Sequence, residues 1–288
     1  MQSPPGNTSA LNARAPVTGS DVVRSSLWIV EGRVEPGAIF TLALVLEIAP
    51  TWHVYWRNPG DSGIPPSLAI DVPEGFALVG ELAFPRPSIL SKHEVTYGYE
   101  GKVALFQRVR APNSIPAELQ LRAKAKWMTC KSTCLIGEST LAVTVAPATH
   151  TMPRPIRDVV DAARFQLPTP FAAAKAWSAE VIREPNGSIS ALALTGKFPT
   201  KAISQRPIIF IPDVTPGVSY GSGAPISARF EGEESSASAL LSIPLLVDPA
   251  NAAGKNLRAA GLILIGDGSD SADHCYSIDV PIAPTPFP

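Results

Sequence analysis

Several things are scarce in this chain, and each scarcity removes a class of function. Its 288 residues include only three cysteines, three methionines and four histidines. Charged residues make up 17%, and the formal net charge is −1. That balance leaves no basic surplus of the kind a nucleic-acid binder shows. No stretch approaches the roughly 18 uninterrupted apolar residues of a membrane-spanning helix. The first 21 residues, "MQSPPGNTSALNARAPVTGSD", lack a charged segment followed by an apolar one, so they do not read as a signal peptide. The expectation is a mature form whose leader was replaced by Met1. No Gly-x-Ser-x-Gly elbow, phosphate loop, dinucleotide fingerprint or zinc-protease helix is read from the chain. Asn7-Thr8-Ser9 and Asn186-Gly187-Ser188 fit the glycosylation triplet, a pattern common by chance. The pair Glu233-Glu234 is expected to be solvated in a polar loop.

What is present is 45% hydrophobic residues, 30 prolines and 21 glycines, the last two scattered between short apolar runs. This is the punctuation of many short strands, in a chain long enough for two domains. "AIFTLALVLEI" alternates Phe40, Leu42, Leu44, Leu46 and Ile48 onto one face, as a strand on a core requires. "TWHVYWRNPGDSGIPPS" carries aromatics into a turn signal at Asn58-Pro59-Gly60-Asp61-Ser62-Gly63. "GKVALFQRVRA", "AELQLRAKAKW" and "STLAVTVAP" read as further strands. Residues 150–170 change character: Ile156, Val159, Val160 and Ala163 fall at helical spacing between proline pairs, which marks a link with a short helix. Strand-like runs resume after it, from "WSAEVIRE" to "AAGLILIGDG". The expected architecture is all-β, with two tandem β-sandwiches. Residues 1–20 form a flexible N-terminus, 21–149 the first sandwich, 150–170 the linker and 171–288 the second sandwich.

The segment "WMTCKSTCLIGEST" holds two of the three cysteines, Cys130 and Cys134. Alternation places Leu119, Leu121, Ala123, Ala125 and Trp127 on one face of a strand, and Arg122, Lys124, Lys126, Met128 and Cys130 on the other. Lys131-Ser132-Thr133 then turns the chain, which brings the cysteines onto neighbouring strands at a disulfide's reach. Three chemistries remain open. A hairpin staple closing so short a loop removes only about 2 kcal/mol of unfolded-state entropy. A metal clip would need further ligands, and His53, His93, His150 and His274 stand at no recognisable ligand spacing, although Met128 and the two thiols would suit Cu(I). An exchange pair would gain thiolate character from Lys124, Lys126 and Lys131. Cys275 reads as a lone, partly buried thiol.

Three segments, 52–67 ("WHVYWRNPGDSGIPPS"), 95–105 ("VTYGYEGKVAL") and 127–140, resemble the N-terminal periplasmic domain of the DsbD-type thiol:disulfide interchange proteins. The likeness is strongest to the ScsB (suppressor of copper sensitivity) branch and spans about residues 25–147. The resemblance implies immunoglobulin-like domains and a redox pair, Cys130 and Cys134, with Cys134 forming the mixed disulfide. It implies electrons received from a membrane-embedded reductase domain and passed to periplasmic thioredoxin-fold proteins, such as a ScsC-like or DsbC-like isomerase. No cofactor beyond the redox-active disulfide, no metal and no nucleic acid is expected. The periplasm is the implied compartment, in a soluble domain of a membrane-anchored protein. The resemblance further implies a cap loop over the pair, here Glu94, Val95, Thr96, Tyr97 and Gly98. The chain departs from the DsbD pattern in its shorter cysteine spacing and in having Thr96 beside Tyr97. Tyr55, Arg57, Asn58 and Asp61 are candidates for supporting the pair; the same segment can instead build a tight sandwich corner. The alternative function is a copper-binding or structural module.

Overall fold

A computed structural model describes residues 18–31, 34–91, 95–115, 119–146 and 150–170. Beyond these it describes 177–183, 189–197, 208–214, 218–220, 226–227, 229–231, 238–247, 258–265 and 274–281. The glycosylation triplets at Asn7 and Asn186 and the Glu233-Glu234 pair lie outside the described residues.

Ten strands fill the first half: β1 (Val23–Ile29), β2 (Ile39–Ile48), β3 (His53–Gly60), β4 (Ser67–Asp71), β5 (Ala77–Ala83), β6 (Ser88–Ser91), β7 (Thr96–Tyr99), β8 (Lys102–Arg110), β9 (Leu119–Cys130) and β10 (Cys134–Val145). They form two sheets, ordered β1-β2-β8-β5 and β10-β9-β3-β7-β6, with β4 continuing beside β9. The alternation in β2 does what the sequence predicts. Phe40, Leu42, Leu44 and Leu46 are fully buried between the sheets, against Leu121, Ala123, Ala125 and Trp127 of β9. The fold is all-β and immunoglobulin-like, as expected.

Three features differ from the sequence reading. The other face of β2 is buried too: Ala43 and Val45 lie under α1 (Arg154–Phe165). The helix packs Val160 and Ala163 on them, with Ile156 and Val159 alongside, so it adds a layer to the first sandwich rather than only linking. Small side chains at Ala43 and Ala104 let it approach. Gly19, expected in a flexible lead-in, sits in a short 3-10 turn (Gly19–Asp21) held by the Ser20 hydroxyl donating to the Glu138 carbonyl at 2.9 Å. Finally, β3 runs through Asn58 and Pro59, where a turn was predicted. Its pairing with β7 is irregular between Tyr55 and Gly60. Pro59 has no N–H to donate there and Gly60 adopts φ +93°, so an interrupted strand carries these residues without losing a bond.

The second half contributes β11 (Thr169–Pro170), β12 (Trp177–Arg183), β13 (Ile189–Lys197), β14 (Ile208–Pro212), β15 (Val218–Tyr220), β16 (Ile226–Ser227), β17 (Arg229–Glu231), β18 (Ser238–Val247), β19 (Arg258–Ile265) and β20 (His274–Pro281). They form sheets β11-β20-β19-β14-β16 and β12-β13-β18-β15, with β17 on β18. Ile211, Leu262 and Leu264 bury into the same apolar cluster as Val54, Trp56, Tyr97 and Tyr99. The second half therefore leans on the strand that carries the aromatic segment.

Candidate functional site

The register of the β9–β10 hairpin sets Cys134 opposite Cys130, Ile136 opposite Met128 and Glu138 opposite Lys126. Paired residues point to one face of a sheet, so the two sulfurs meet directly. They form a disulfide with Cα atoms 4.1 Å apart. Lys131-Ser132-Thr133 is the predicted turn, closed by the Lys131 N–H donating to the Thr133 carbonyl. Behind the hairpin, the Trp127 ring lies flat under Gly137, where an added Cβ would stand 2.4 Å from the indole nitrogen. Only glycine permits that approach, and it holds the two strands rigidly on the core.

Parity places Cys130 on the polar face, and the face is indeed exposed along Lys124 and Lys126. At Cys130 itself the structure corrects the reading: the residue is 3% exposed. The cause is β3, which joins β9 only at this end, pairing His53 with Cys130 and Val54 with Thr129. The Thr129 hydroxyl donates to the His53 carbonyl at 2.8 Å and locks the junction. Tyr55, two residues along the same face, donates its hydroxyl to Cys130 Sγ at 3.0 Å and lies 4.0 Å from Cys134 Sγ. Cys134 remains exposed. The two sulfurs are thus inequivalent: one buried under a phenol, one open to solvent.

Two of the three lysines beside the pair are engaged by a carboxylate. Lys124 and Lys126 both face Glu138, at 3.1 and 4.0 Å, so one carboxylate meets part of their combined charge, while Lys131 lies exposed in the turn. The polar group that reaches the sulfurs is the Tyr55 hydroxyl. His53 stands at no ligand spacing in the sequence, yet it is the direct neighbour of Cys130, with its ring edge-on to Tyr55 at 5.2 Å. Burial lowers its pKa, with Glu100 opposing. The only sequence signal for it is the His53-x-Tyr55 spacing, which puts both on one face.

The four supporting candidates separate. Tyr55 reaches the cysteines. Arg57 and Asn58 turn to the second half: Arg57 stacks over Trp56 at 5.0 Å and pairs with Asp213 at 2.7 Å, and the Asn58 amide donates to the Pro212 carbonyl at 2.7 Å. Burial raises the Asp213 pKa despite the facing guanidinium of Arg57. Asp61 accepts from the Val95 N–H at 2.8 Å, while its own N–H donates to the Val95 carbonyl. Gly63 lies against Tyr55; an added Cβ would come within 2.4 Å of the ring.

Of the candidate cap, Glu94 lies outside the described residues. Val95 adjoins β7, and Thr96, Tyr97 and Gly98 belong to it, on the far side of β3 from the cysteine strand. Gly98 pairs with Tyr55. Tyr97 stands edge-on to Trp56 at 6.3 Å, and burial, reinforced by Asp61, pushes its phenol up to about 12. The segment supports the cysteine site through β3.

Cys275, in β20, packs against the cluster shared by the two halves. Burial pushes its thiol up to about 12, with Arg86 and Arg57 opposing. It is a free thiol, as the sequence predicts. Among the described residues, no three His, Cys, Asp or Glu side chains gather as a metal site would require. No described helix is long and apolar enough to cross a membrane. One pattern corrects the sequence reading: residues 217–221 do carry Gly-x-Ser-x-Gly spacing. Ser219, however, lies within β15, paired to Leu246 of β18, whereas a nucleophile elbow needs a strand-to-helix turn. A cleft of about 690 Å³ opens between Arg86–Ile89, α1 and the second half's Ile209 and Leu264, and none of its lining residues contacts the disulfide.

Comparison with known proteins agrees with this geometry. Residues 30–146 match the family model described as thiol:disulfide interchange protein DsbD, N-terminal. The N-terminal periplasmic domain of ScsB from Proteus mirabilis is similar in fold, at 16% identity and a TM-score of 0.57, covering 91% of this chain and 92% of that one. The major pilin subunit BcpA of Bacillus cereus aligns over 91% of this chain and 66% of its own, but at 9% identity and a TM-score of 0.28. No curated protein matches the chain.

Proposed function

We propose that the chain, whose residues 30–146 match the DsbD N-terminal family model, is a thiol–disulfide exchange module working through Cys130 and Cys134. The observation that carries this is the inequivalence of the sulfurs: Cys134 is exposed while Cys130 lies 3% exposed beneath Tyr55. A permanent staple needs no such asymmetry. A relay does, because one sulfur must meet a partner and the other must wait to resolve the mixed disulfide.

In the reduced module, the Cys134 thiolate attacks one sulfur of a partner disulfide, and the partner's second sulfur leaves as thiolate. Cys130 then attacks Cys134 Sγ, releasing the partner's first sulfur. Two electrons pass to the partner, and the Cys130–Cys134 disulfide is restored. Tyr55 donates to Cys130 Sγ and so stabilises its thiolate before that second attack. The cap reading gives Glu94 to Gly98 the role of shielding the pair, and it is supported by Thr96 to Gly98 lying in β7, which backs the strand that carries Tyr55. The recharging electrons come from a membrane-embedded reductase domain, and the recipients are periplasmic thioredoxin-fold proteins of the ScsC-like or DsbC-like kind. The compartment is the periplasm. The chain divides into a redox sandwich (21–149), a connecting segment (150–170) and a second sandwich (171–288) that orients the first through Arg57 and Asn58.

Trapping tests the proposal. Cys130→Ser, incubated with an oxidised DsbC-like isomerase, is expected to accumulate a mixed disulfide through Cys134, and Cys134→Ser is not. Equal trapping by both variants, or by neither, refutes it.

A further inference from the structure

Exchange through this pair requires Cys130 to lose a proton, because the thiolate and not the thiol is the nucleophile. Cys130 is almost wholly buried, which disfavours the thiolate and keeps water from taking the proton. Tyr55 directs its O–H at the sulfur, so it holds a thiolate once formed. His53 stands directly across the ladder from Cys130. Opposed residues of an antiparallel pair share a face, with Cβ atoms about 5 Å apart, so imidazole and thiol are neighbours there. The ring is braced edge-on against Tyr55, and the Thr129 hydroxyl donating to the His53 carbonyl ties the two strands at this point. On the other side of β3, Tyr99 pairs with Val54, so Glu100, next in the chain, comes up beside His53. Lys131, exposed in the turn after Cys130, is the cation nearest in the chain, and Lys124 and Lys126 lie further down β9 at Glu138.

We infer that His53 is the proton acceptor for Cys130 in the step that resolves the mixed disulfide. This deepens the exchange reading and rests on it. The Cys130 S–H bond breaks and its proton passes to an imidazole nitrogen. The Cys130 sulfur bonds to Cys134 Sγ, the bond from Cys134 to the partner breaks, and the partner's sulfur leaves with the electron pair as a thiolate. The half-buried imidazolium then gives its proton to water. Burial holds the pKa of His53 below its ordinary 6.5, so the ring is neutral and able to accept near pH 7, while the Glu100 carboxylate opposes that shift and favours the imidazolium once it forms. A nucleophile, a base beside it and a third group acting on the base make up the usual means of activating a weak nucleophile.

Dithiodipyridine tests this without a protein partner. In the reduced protein Cys134 attacks it and releases one thiopyridone, and Cys130 then releases the second as the disulfide closes. Cys275 is buried and reacts far more slowly. His53→Gln is expected to slow the second release at least about 10-fold at pH 7 and the first by less than about two-fold. The gap is expected to narrow as pH rises above the ordinary thiol value of about 8.5, where hydroxide takes over the proton. Glu100→Gln, at an exposed position, is expected to move the acid limb of the second release to lower pH, because losing the carboxylate lowers the His53 pKa further. A second release that His53→Gln leaves unchanged, or slows equally at every pH, overturns the assignment. So does an acid limb that Glu100→Gln leaves fixed or moves up. A wild-type protein that releases one thiopyridone and never the second shows a different pattern: Cys130 does not resolve Cys134, and the exchange reading itself is lost.

Discussion

Tyr55→Phe removes a single oxygen from the site and leaves the ring that Gly63 and His53 pack against. The lost contact is the hydroxyl's hydrogen bond to Cys130 Sγ at 3.0 Å. Against a neutral disulfide sulfur such a bond contributes at most about 1 kcal/mol, and against a thiolate about 2 kcal/mol. The reduced, ionised form thus loses about 1 kcal/mol more than the oxidised form. For a two-electron couple 1.4 kcal/mol corresponds to about 30 mV, so the reduction potential falls by about 20 mV. The sign is fixed by the donor: a group that favours the thiolate raises the potential, and its removal lowers it. The effect is full only above the ordinary thiol pKa of about 8.5. The assay is equilibration of wild type and variant in dithiothreitol or glutathione buffers at pH about 9, with free thiols trapped by alkylation and read by mass. A potential that stays fixed, or moves upward, refutes the role given to Tyr55.

Gly60 adopts φ +93°, and a Cβ there would stand 1.9 Å from the Val95 carbonyl. Gly60→Ala is expected to cost about 3 kcal/mol and lower the melting temperature by about 10 °C, read by circular dichroism. Cys275 has its thiol raised from 9.0 to about 12 by burial. A raised pKa means that its stabilising contribution is complete below pH about 9 and is lost as pH rises from there toward 12. In the native protein at pH 8 Cys275 is expected to react with iodoacetamide about 10³-fold more slowly than an exposed thiol, and at the ordinary rate once urea unfolds the chain. Fast native labelling would contradict the packing of β20 on the first half.

Much of the site was legible because strand parity is a local rule. The faces of β2 and β9, the turn at Lys131–Thr133 and the pairing of Cys130 with Cys134 all follow from alternation and a short connection. Parity fails at Cys130, whose burial comes from β3, a strand more than 70 residues earlier that crosses only the last two positions of β9. His53 was missed for the same reason. A histidine in an aromatic run carries no mark of the cysteine it faces. Arg57 and Asn58 sit two and three residues beyond Tyr55, yet serve the boundary with Asp213 and Pro212. Nothing local distinguishes a side chain that supports a sulfur from one that holds a distant sheet.

The sequence by itself determined that the chain is built of short strands, and that its two near cysteines stand across a hairpin. It also carried the family likeness of the first half. These are consequences of side-chain periodicity and short loops, which involve only neighbouring residues. Tertiary structure decided which sulfur is open and which is covered, which polar group faces them, where the lysines spend their charge, and how α1 and the second half close around the first sandwich. Each of these depends on contacts between segments tens of residues apart, whose mutual placement is fixed only when the apolar faces of separate sheets are buried together.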